Sequence, residues 1–367
     1  MPDTRLTHSR IACFQACPRK HLLAYELALR PVAEAQALRF GTAFHLGREA
    51  YRADHADAQA PVNAAIAAYD AAYPDDMSPE QRESWLVERV QMARLLSAYI
   101  WRWAEADAAV KHLATEGQFE IPLVNPDTGR PIRAFTLAGK RDGIDEIEGR
   151  VAVNEFKTTA QDLSPDGDYR RKLLIDAQVS TYVAAGRTVY PALNCCLYDM
   201  VRKPTIRPKK LTQAETARLL TAAEYFGERF AVAGDIKDGA TVSVNGETCP
   251  VDRTGKWPVV RETAEMYGAR LTADIGERPD YYFARQMIGR TDAELAEAQY
   301  DLWATAKTIR ECELANRWPK NTGACLMYGR CKYFALCTGG YDWKSGTVPD
   351  GYTRVENVHQ ELVDEGE

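Results

Sequence analysis

The chain has 367 residues, 46 % hydrophobic and 27 % charged, with a formal net charge of −6. That balance belongs to a soluble globular protein, large enough for one domain with insertions or two ordinary ones, and it argues against a protein that coats nucleic acid by bulk charge, while leaving room for a local basic groove. No apolar run is long enough to span a bilayer and residues 1–9 lack the apolar core of a signal peptide, so a cytoplasmic protein with no membrane contact is expected.

Thr7 or Ser9 can cap a first helix running to about Leu29, ahead of Pro31, with Ile11, Phe14, Leu22 and Leu23 on its apolar side. A second helix starts near Gly41 and carries His45. Residues 59–115 read as a large helical insertion, with the pattern Trp85, Leu86, Val90, Leu95, Leu96, Tyr99. The chain then turns strand-like over 119–124, passes a turn at Asn125-Pro126-Asp127-Thr128-Gly129, and returns as strands over 132–141 and 151–157. A helix over about 169–188, a strand over 194–203, a helix over 211–232, a strand over 280–288 and a helix over 291–313 follow. The order predicts an α/β (mixed α+β) fold with a mixed central sheet flanked by helices. Residues 1–340 form one domain in this reading: insertion 59–115, core 116–210, a mixed helical segment 211–320, and a cysteine loop 325–337 closing onto Cys17. Residues 341–367 form a tail whose acidic end, from Glu356, is expected to be mobile.

The chemistry concentrates in Val151-Ala152-Val153-Asn154-Glu155-Phe156-Lys157. Strand side chains alternate, so Glu155 and Lys157 share a face that Val151 and Val153 can anchor. Asp142 ends the preceding strand. Two carboxylates and a lysine at the ends of paired strands can hold a hard cation such as Mg²⁺ or Mn²⁺, with the Phe156 carbonyl as an extra ligand. Lys157 can orient or help deprotonate an attacking water and offset charge in the transition state, and a second metal would help the leaving oxygen. Hydrolysis of a phosphodiester is the leading expectation. Taken alone, Glu-x-Lys on a strand also describes a surface ion pair. Gln178 and Tyr182 lie one helical turn apart and share a face towards this site. His45, within Gly41-Thr42-Ala43-Phe44-His45, can join the metal site, with Glu49 one turn on to hold its ring.

Nine cysteines in a chain without a secretion signal are read first as metal ligands. Cys325, Cys331 and Cys337 are evenly spaced, five residues between neighbours. Cys17, followed by Pro18, is the best fourth ligand, with Cys13 behind it. Four thiolates suit Zn²⁺ or a 4Fe–4S cluster; zinc sites usually pair cysteines two to four residues apart, so this spacing leans towards iron–sulfur. Cys195 and Cys196 read as packing residues, and Cys249 and Cys312 have no evident partners. Arg170, Arg171 and Lys172 open the helix that carries Gln178, and Arg202 and Lys203 start a basic run after the last core strand; both can cradle a phosphate backbone. Trp101, Trp103, Trp257 and Trp318 could stack on bases, though packing is the plainer role.

These motifs, in this order, resemble the RecB-type branch of the PD-(D/E)XK nucleases. Ser9-Arg10-Ile11 through Cys17-Pro18-Arg19-Lys20 resembles its N-terminal signature, and Gly41 to His45 its histidine motif. Gly139-Lys140-Arg141-Asp142 resembles its G-x-x-D motif, Asn154-Glu155-Phe156-Lys157-Thr158 its D/E-x-K strand, and Gln178-Val179-Ser180-Thr181-Tyr182 its Q-x-x-x-Y helix. Asn154 stands where many relatives carry Asp. The resemblance implies a restriction-endonuclease-like core and catalytic roles for Asp142, Glu155, Lys157, Gln178 and Tyr182, with metal held by His45, Asp142, Glu155 and Phe156. The cysteines resemble those of iron–sulfur nucleases of this branch, AddB-type recombination nucleases and CRISPR-adaptation nucleases, although the relatives often place the first two downstream cysteines closer together. A cluster on Cys17, Cys325, Cys331 and Cys337 would brace the DNA-binding region as a structural clasp. No Walker A motif is present. By analogy of context the chain is expected to be a stand-alone metal-dependent DNA exonuclease of the phage or repair-recombination type, with DNA and a single-strand annealing or recombination protein as partners. The alternative is a DNA-binding recombination or adaptation factor whose nuclease site is accessory or inactive.

Overall fold

The computed structural model describes residues 4–32, 36–73, 77–236, 241–327 and 329–362. At its centre is a five-stranded mixed sheet. In spatial order its strands are Phe283–Gly289, Cys195–Arg202, Arg150–Thr159, Gly143–Ile147 and Lys111–Ala114; only the Cys195–Arg202 and Arg150–Thr159 pair is parallel. The strand Cys195–Arg202 is buried along nearly all its length, which explains its largely apolar run, and the middle of Arg150–Thr159 is buried as well, Asn154 and Glu155 included.

Helices cover both faces. Phe156, Val201 and Phe283 pack against the helices Gln36–Ala53, Ala60–Ala71, Pro79–Asp107 and Ala264–Glu277. Residues 60–107, read from the sequence as an insertion, thus supply much of the main core. On the other face Val153, Cys196 and Met200 pack against the helix Ala177–Arg187. A smaller sheet pairs Pro131–Arg141 antiparallel with Gly117–Val124 and parallel with Arg5–Leu6. The helices His8–Ala16 and Asp292–Ala315 share its core through Ile11, Phe14, Leu302 and Ile309. The strand Pro131–Arg141 runs almost directly into Gly143–Ile147, so Asp142 stands where the chain passes from one sheet to the other.

Several expected helices are broken or end early. The first ends at Ala16; Cys17 is extended, with φ −165° and ψ 115°, and Pro18 starts a new turn that continues as a short π-helical segment, Leu22–Glu26. Pro18 has no amide hydrogen and disfavours helical geometry in the residue before it, so Cys17 is left at the break. The helix expected over 169–188 is two, Asp168–Leu173 and Ala177–Arg187, and Asp176 caps the second by accepting from the amides of Gln178 at 2.8 Å and Val179 at 3.3 Å. The helix expected over 211–232 is Gln213–Ala222; Ala223 takes a left-handed φ of 52° and a hairpin, Glu224–Tyr225 with Glu228–Arg229, follows.

The tail is packed up to Leu362 rather than mobile. Tyr352–Arg354 pairs with Leu29–Pro31, Arg30 donates to the Val358 carbonyl at 2.9 Å, and His359 is fully buried. Residues 363–367 lie outside the described residues.

Helix Gln36–Ala53 approaches its neighbours through Gly47, where an added Cβ would lie 2.5 Å from Leu96 Cδ2 and 2.8 Å from both Ala65 Cβ and the Pro61 carbonyl oxygen. Gly47→Val therefore overpacks the core that backs the Glu155 strand and is expected to lower stability by about 1–3 kcal/mol. Urea unfolding followed by circular dichroism checks this; an unchanged midpoint would contradict it.

Candidate active site

Asp142, Glu155 and Lys157 meet because of strand register. Gly143 pairs with Asn154, which brings Asp142 alongside Glu155, and Asp142 Oδ2 accepts from the Phe156 amide at 2.6 Å. The alternation divides the strand by chemistry. Asn154 and Phe156 point into the main core, where Asn154 accepts from Arg48 at 2.6 Å and donates to Asp145 at 3.0 Å. Glu155 and Lys157 point the other way, into a cavity of about 470 Å³ that Asp142, His45, Gln178 and Tyr182 also line.

Glu155 is 2 % exposed. Its Oε1 lies 2.5 Å from Lys157 Nζ and accepts from Gln178 Nε2 at 2.8 Å. Its Oε2 is buried with no hydrogen-bond partner. Burial, partly offset by Lys157 and reinforced by Asp142, pushes the Glu155 carboxyl up to about 7. Burial works against the Lys157 ammonium, but Glu155 and Asp142 outweigh it and hold the lysine protonated. Gln178 also hydrogen-bonds Tyr182, whose ring packs edge-on against Phe119 at 5.4 Å. Gly139 permits that approach, because a Cβ there would lie 2.6 Å from Phe119 Cζ and 3.1 Å from Tyr182 Cε1.

His45 reaches the cavity from helix Gln36–Ala53. Its Nε2 is 3.2 Å from Glu116 Oε2 and 3.5 Å from Asp142 Oδ1, and one ligand atom from each of the three residues falls within 4.8 Å of the others. Burial disfavours the His45 imidazolium, yet Asp142 and the hydrogen bond to Glu116 overcome it and raise the histidine above its ordinary value. Glu116, which also pairs with Lys140, is held below the usual carboxylate range despite its burial, through His45 and Lys140.

Three lining residues were not anticipated from the sequence. Glu116 is a single acid in the link between Lys111–Ala114 and Gly117–Val124, far from Asp142 in sequence and part of no spaced pattern. His8 sits in the first turn of the N-terminal helix, where burial, with Lys157 and Lys172 adding to it and Asp176 opposing, lowers its pKa. Glu361 comes from the tail and accepts from the Thr7 hydroxyl at 2.6 Å. His8 had the signal of a titratable side chain next to the capping Thr7; Glu116 and Glu361 had none, since their places depend on contacts far apart in the chain.

The donor set fits a divalent cation. Carboxylates with one imidazole suit Mg²⁺ or Mn²⁺, and a buried carboxylate oxygen without a partner is what such an ion would satisfy.

The four cysteines singled out by spacing line a second cavity, also about 470 Å³, between the break at Cys17 and the loop carrying Cys325, Cys331 and Cys337. The Asn321 amide donates to Cys17 Sγ at 3.4 Å, and Lys20, Lys320, Arg330 and Lys332 share the wall. Cys13 does not line it, and burial pushes its thiol up to about 11. Cys195, Cys196 and Cys249 are buried, as packing residues should be.

The basic residues separate into two groups. Arg170 donates to Gln286 at 2.9 Å, while Arg171 and Lys172 stay exposed beside the Gln178 helix. Arg202 pairs with Asp162 at 2.9 Å and lies over Tyr281, and Lys203 lies over the Phe40 ring, so both are engaged within the fold. Trp318 is core and Trp103 lies under Arg285, whereas Trp101 and Trp257 are exposed. Among the described residues no helix is long and apolar enough to cross a membrane.

Comparison with known proteins returns one family. The profile of the PD-(D/E)XK nuclease superfamily matches residues 5–338, a span that contains Asp142, Glu155, Lys157, Gln178 and all four clustered cysteines. A search of curated proteins gave no match. The chain belongs to the PD-(D/E)XK nuclease superfamily, whose chemistry is metal-dependent cleavage of nucleic acid.

Proposed function

We propose that the protein is a Mg²⁺- or Mn²⁺-dependent deoxyribonuclease that degrades DNA from its ends, in recombination or repair. The observation that carries this is Glu155: a carboxylate 2 % exposed, one oxygen tied to Lys157 and Gln178, the other without a partner in the cavity it shares with Asp142. Asp199 Oδ1, in the buried network with Arg285, is unpartnered too; what sets Glu155 apart is the cavity that it lines with Asp142, His45 and Glu116.

Asp142 and Glu155, with the Phe156 carbonyl, would hold the cation, and His45 and Glu116 would extend the ligand set. When bound, the cation polarises the scissile phosphate and lowers the pKa of water. Gln178 fixes the rotamer of Glu155 so that Oε2 stays in the cavity. Lys157, held protonated, acts as a cation that orients the attacking water and offsets charge on the phosphoryl oxygens, rather than as the base. Arg171 and Lys172 are the exposed cations nearest in sequence to Gln178 and would meet the phosphate backbone. Action at ends is supported by the cavity wall of Thr7, His8, Ser9 and Glu361, where the Glu361 carboxylate opposes a strand continuing past the site.

We also infer a structural 4Fe–4S cluster on Cys17, Cys325, Cys331 and Cys337. Cationic walls favour four thiolates around a net negative cluster. Five residues separate Cys325 from Cys331 and Cys331 from Cys337, rather than the close pairs usual for zinc, which favours iron–sulfur.

Lys157→Ala is expected to retain the fold and lower cleavage of linear DNA by about 10²–10³-fold or more; wild-type turnover in that variant would sink the assignment. Ligation at Glu155 or His45 must displace a proton, and with Glu155 at about 7 and His45 raised, Mn²⁺ affinity should climb as pH rises towards 7 and level off above it. Calorimetric titration showing equal affinity at about pH 6 and about pH 8 would contradict this, given one coupled proton. Cys17→Ser should reduce bound iron from about four atoms per chain and lower the melting temperature; iron-free wild-type protein, purified anaerobically and equally stable, would argue against the cluster.

A further inference from the structure

The turn joining Asp168–Leu173 to Ala177–Arg187 turns two consecutive aliphatic side chains outward: Leu174 is 54 % exposed and Ile175 85 %. Leu173, immediately before them, is buried with Val179 and Val183. The turn is held firmly. The amides of Leu174 and Ile175 donate to the carbonyls of Arg171 and Lys172, both at 3.1 Å. Arg290, itself buried, donates through Nη2 to the carbonyls of Leu173 and Asp176, both at 3.1 Å, and through Nε to Ser180 Oγ at 2.8 Å. A buried guanidinium therefore clamps the two ends of the turn, and the apolar pair stands on a fixed base.

That base adjoins the catalytic cavity. Asp176 caps the helix whose Gln178 bonds Glu155. Lys172 and Asp176 both act electrostatically on His8, which lines the cavity with Glu155 and Lys157. On the other side of the apolar pair stand Lys172, exposed, and Arg171, which reaches Asp166 at 3.7 Å, a carboxylate itself 95 % exposed. Exposed cations followed by exposed aliphatic groups match what a nucleic-acid end presents, phosphates beside unstacked base faces. Aliphatic side chains of this kind insert between base steps and unstack them.

We propose that Leu174 and Ile175 form a wedge that packs against the terminal base pair of duplex DNA and opens it, while Arg171 and Lys172 hold the adjoining phosphates. The strand so released enters the cavity. This rests on the nuclease reading above.

The test compares the full-length wild type with a Leu174→Ala, Ile175→Ala double variant and with Ile175→Met. Cleavage is measured with Mn²⁺ on a blunt duplex and on the single strand of the same sequence. The same three wedge sequences, placed in a Lys157→Ala background, are titrated onto a duplex carrying 2-aminopurine at its terminal nucleotide. Both side chains are exposed, so equal melting temperatures are expected. The double variant should lose about tenfold or more on the duplex, stay within about twofold on the single strand, and lose the rise in 2-aminopurine fluorescence that reports unstacking; Ile175→Met should retain all three. Equal losses on both substrates, no loss on either, or a wild type that cuts single strands and spares the duplex would each overturn the wedge. The case without loss would leave the ridge to a protein partner. A wild type that cuts neither substrate would instead overturn the nuclease reading itself.

Discussion

The hydrogen bond from the Phe156 amide to Asp142, with the Gly143–Asn154 pairing beside it, sets the register on which the site depends. Because strand side chains alternate, a slip of one residue would send Glu155 and Lys157 into the hydrophobic core and bring Asn154 and Phe156 into the cavity. The opposite face opposes that slip. Asn154 is held between Arg48 and Asp145, Asp145 is paired with Arg52 and His112, and Phe156 stacks on Phe44 at 5.6 Å. Asn154 acts as a neutral link in this buried network.

The same network extends along the sheet. Asp199, fully buried on the neighbouring strand, accepts from Tyr99 at 2.6 Å and from Arg285 at 2.9 Å, and Arg285 continues to Asp107. Removing one member would strand a buried charge, a large penalty relative to what the pair adds. A buried carboxylate oxygen without a partner stands on each face, Asp199 Oδ1 here and Glu155 Oε2 on the other. Glu155 differs in lining a cavity of about 470 Å³ together with Asp142, His45 and Glu116, which gives a ligand room to reach it.

What could be read from the sequence was local. Glu155 and Lys157 share a face by strand periodicity alone, Gln178 and Tyr182 by helical periodicity, and their order along the chain carried the family resemblance. The breaks at Cys17 and Ala223 were missed although Pro18 supplied a visible cue for the first; the left-handed Ala223 supplied none. Glu116 was hidden because nothing in one sequence says that a lone acid in a strand link folds beside His45. Glu361 was hidden for a similar reason, since its place depends on Tyr352–Arg354 pairing with Leu29–Pro31 across the whole length of the chain. Non-local placement also decided the basic residues: Arg202 and Lys203 had the composition of a phosphate cradle, but neighbouring aromatic rings engage them.

The central claim is that Glu155 keeps one carboxylate oxygen without a protein partner, in the cavity it shares with Asp142, so that a cation can join the two residues. Crystals grown with Mn²⁺ and measured at the manganese absorption edge test it most directly. The account predicts an anomalous peak in the cavity within ligand distance of Asp142 and Glu155 Oε2. A cavity without manganese at saturating concentration, with Glu155 Oε2 hydrogen-bonded to the protein, would contradict it.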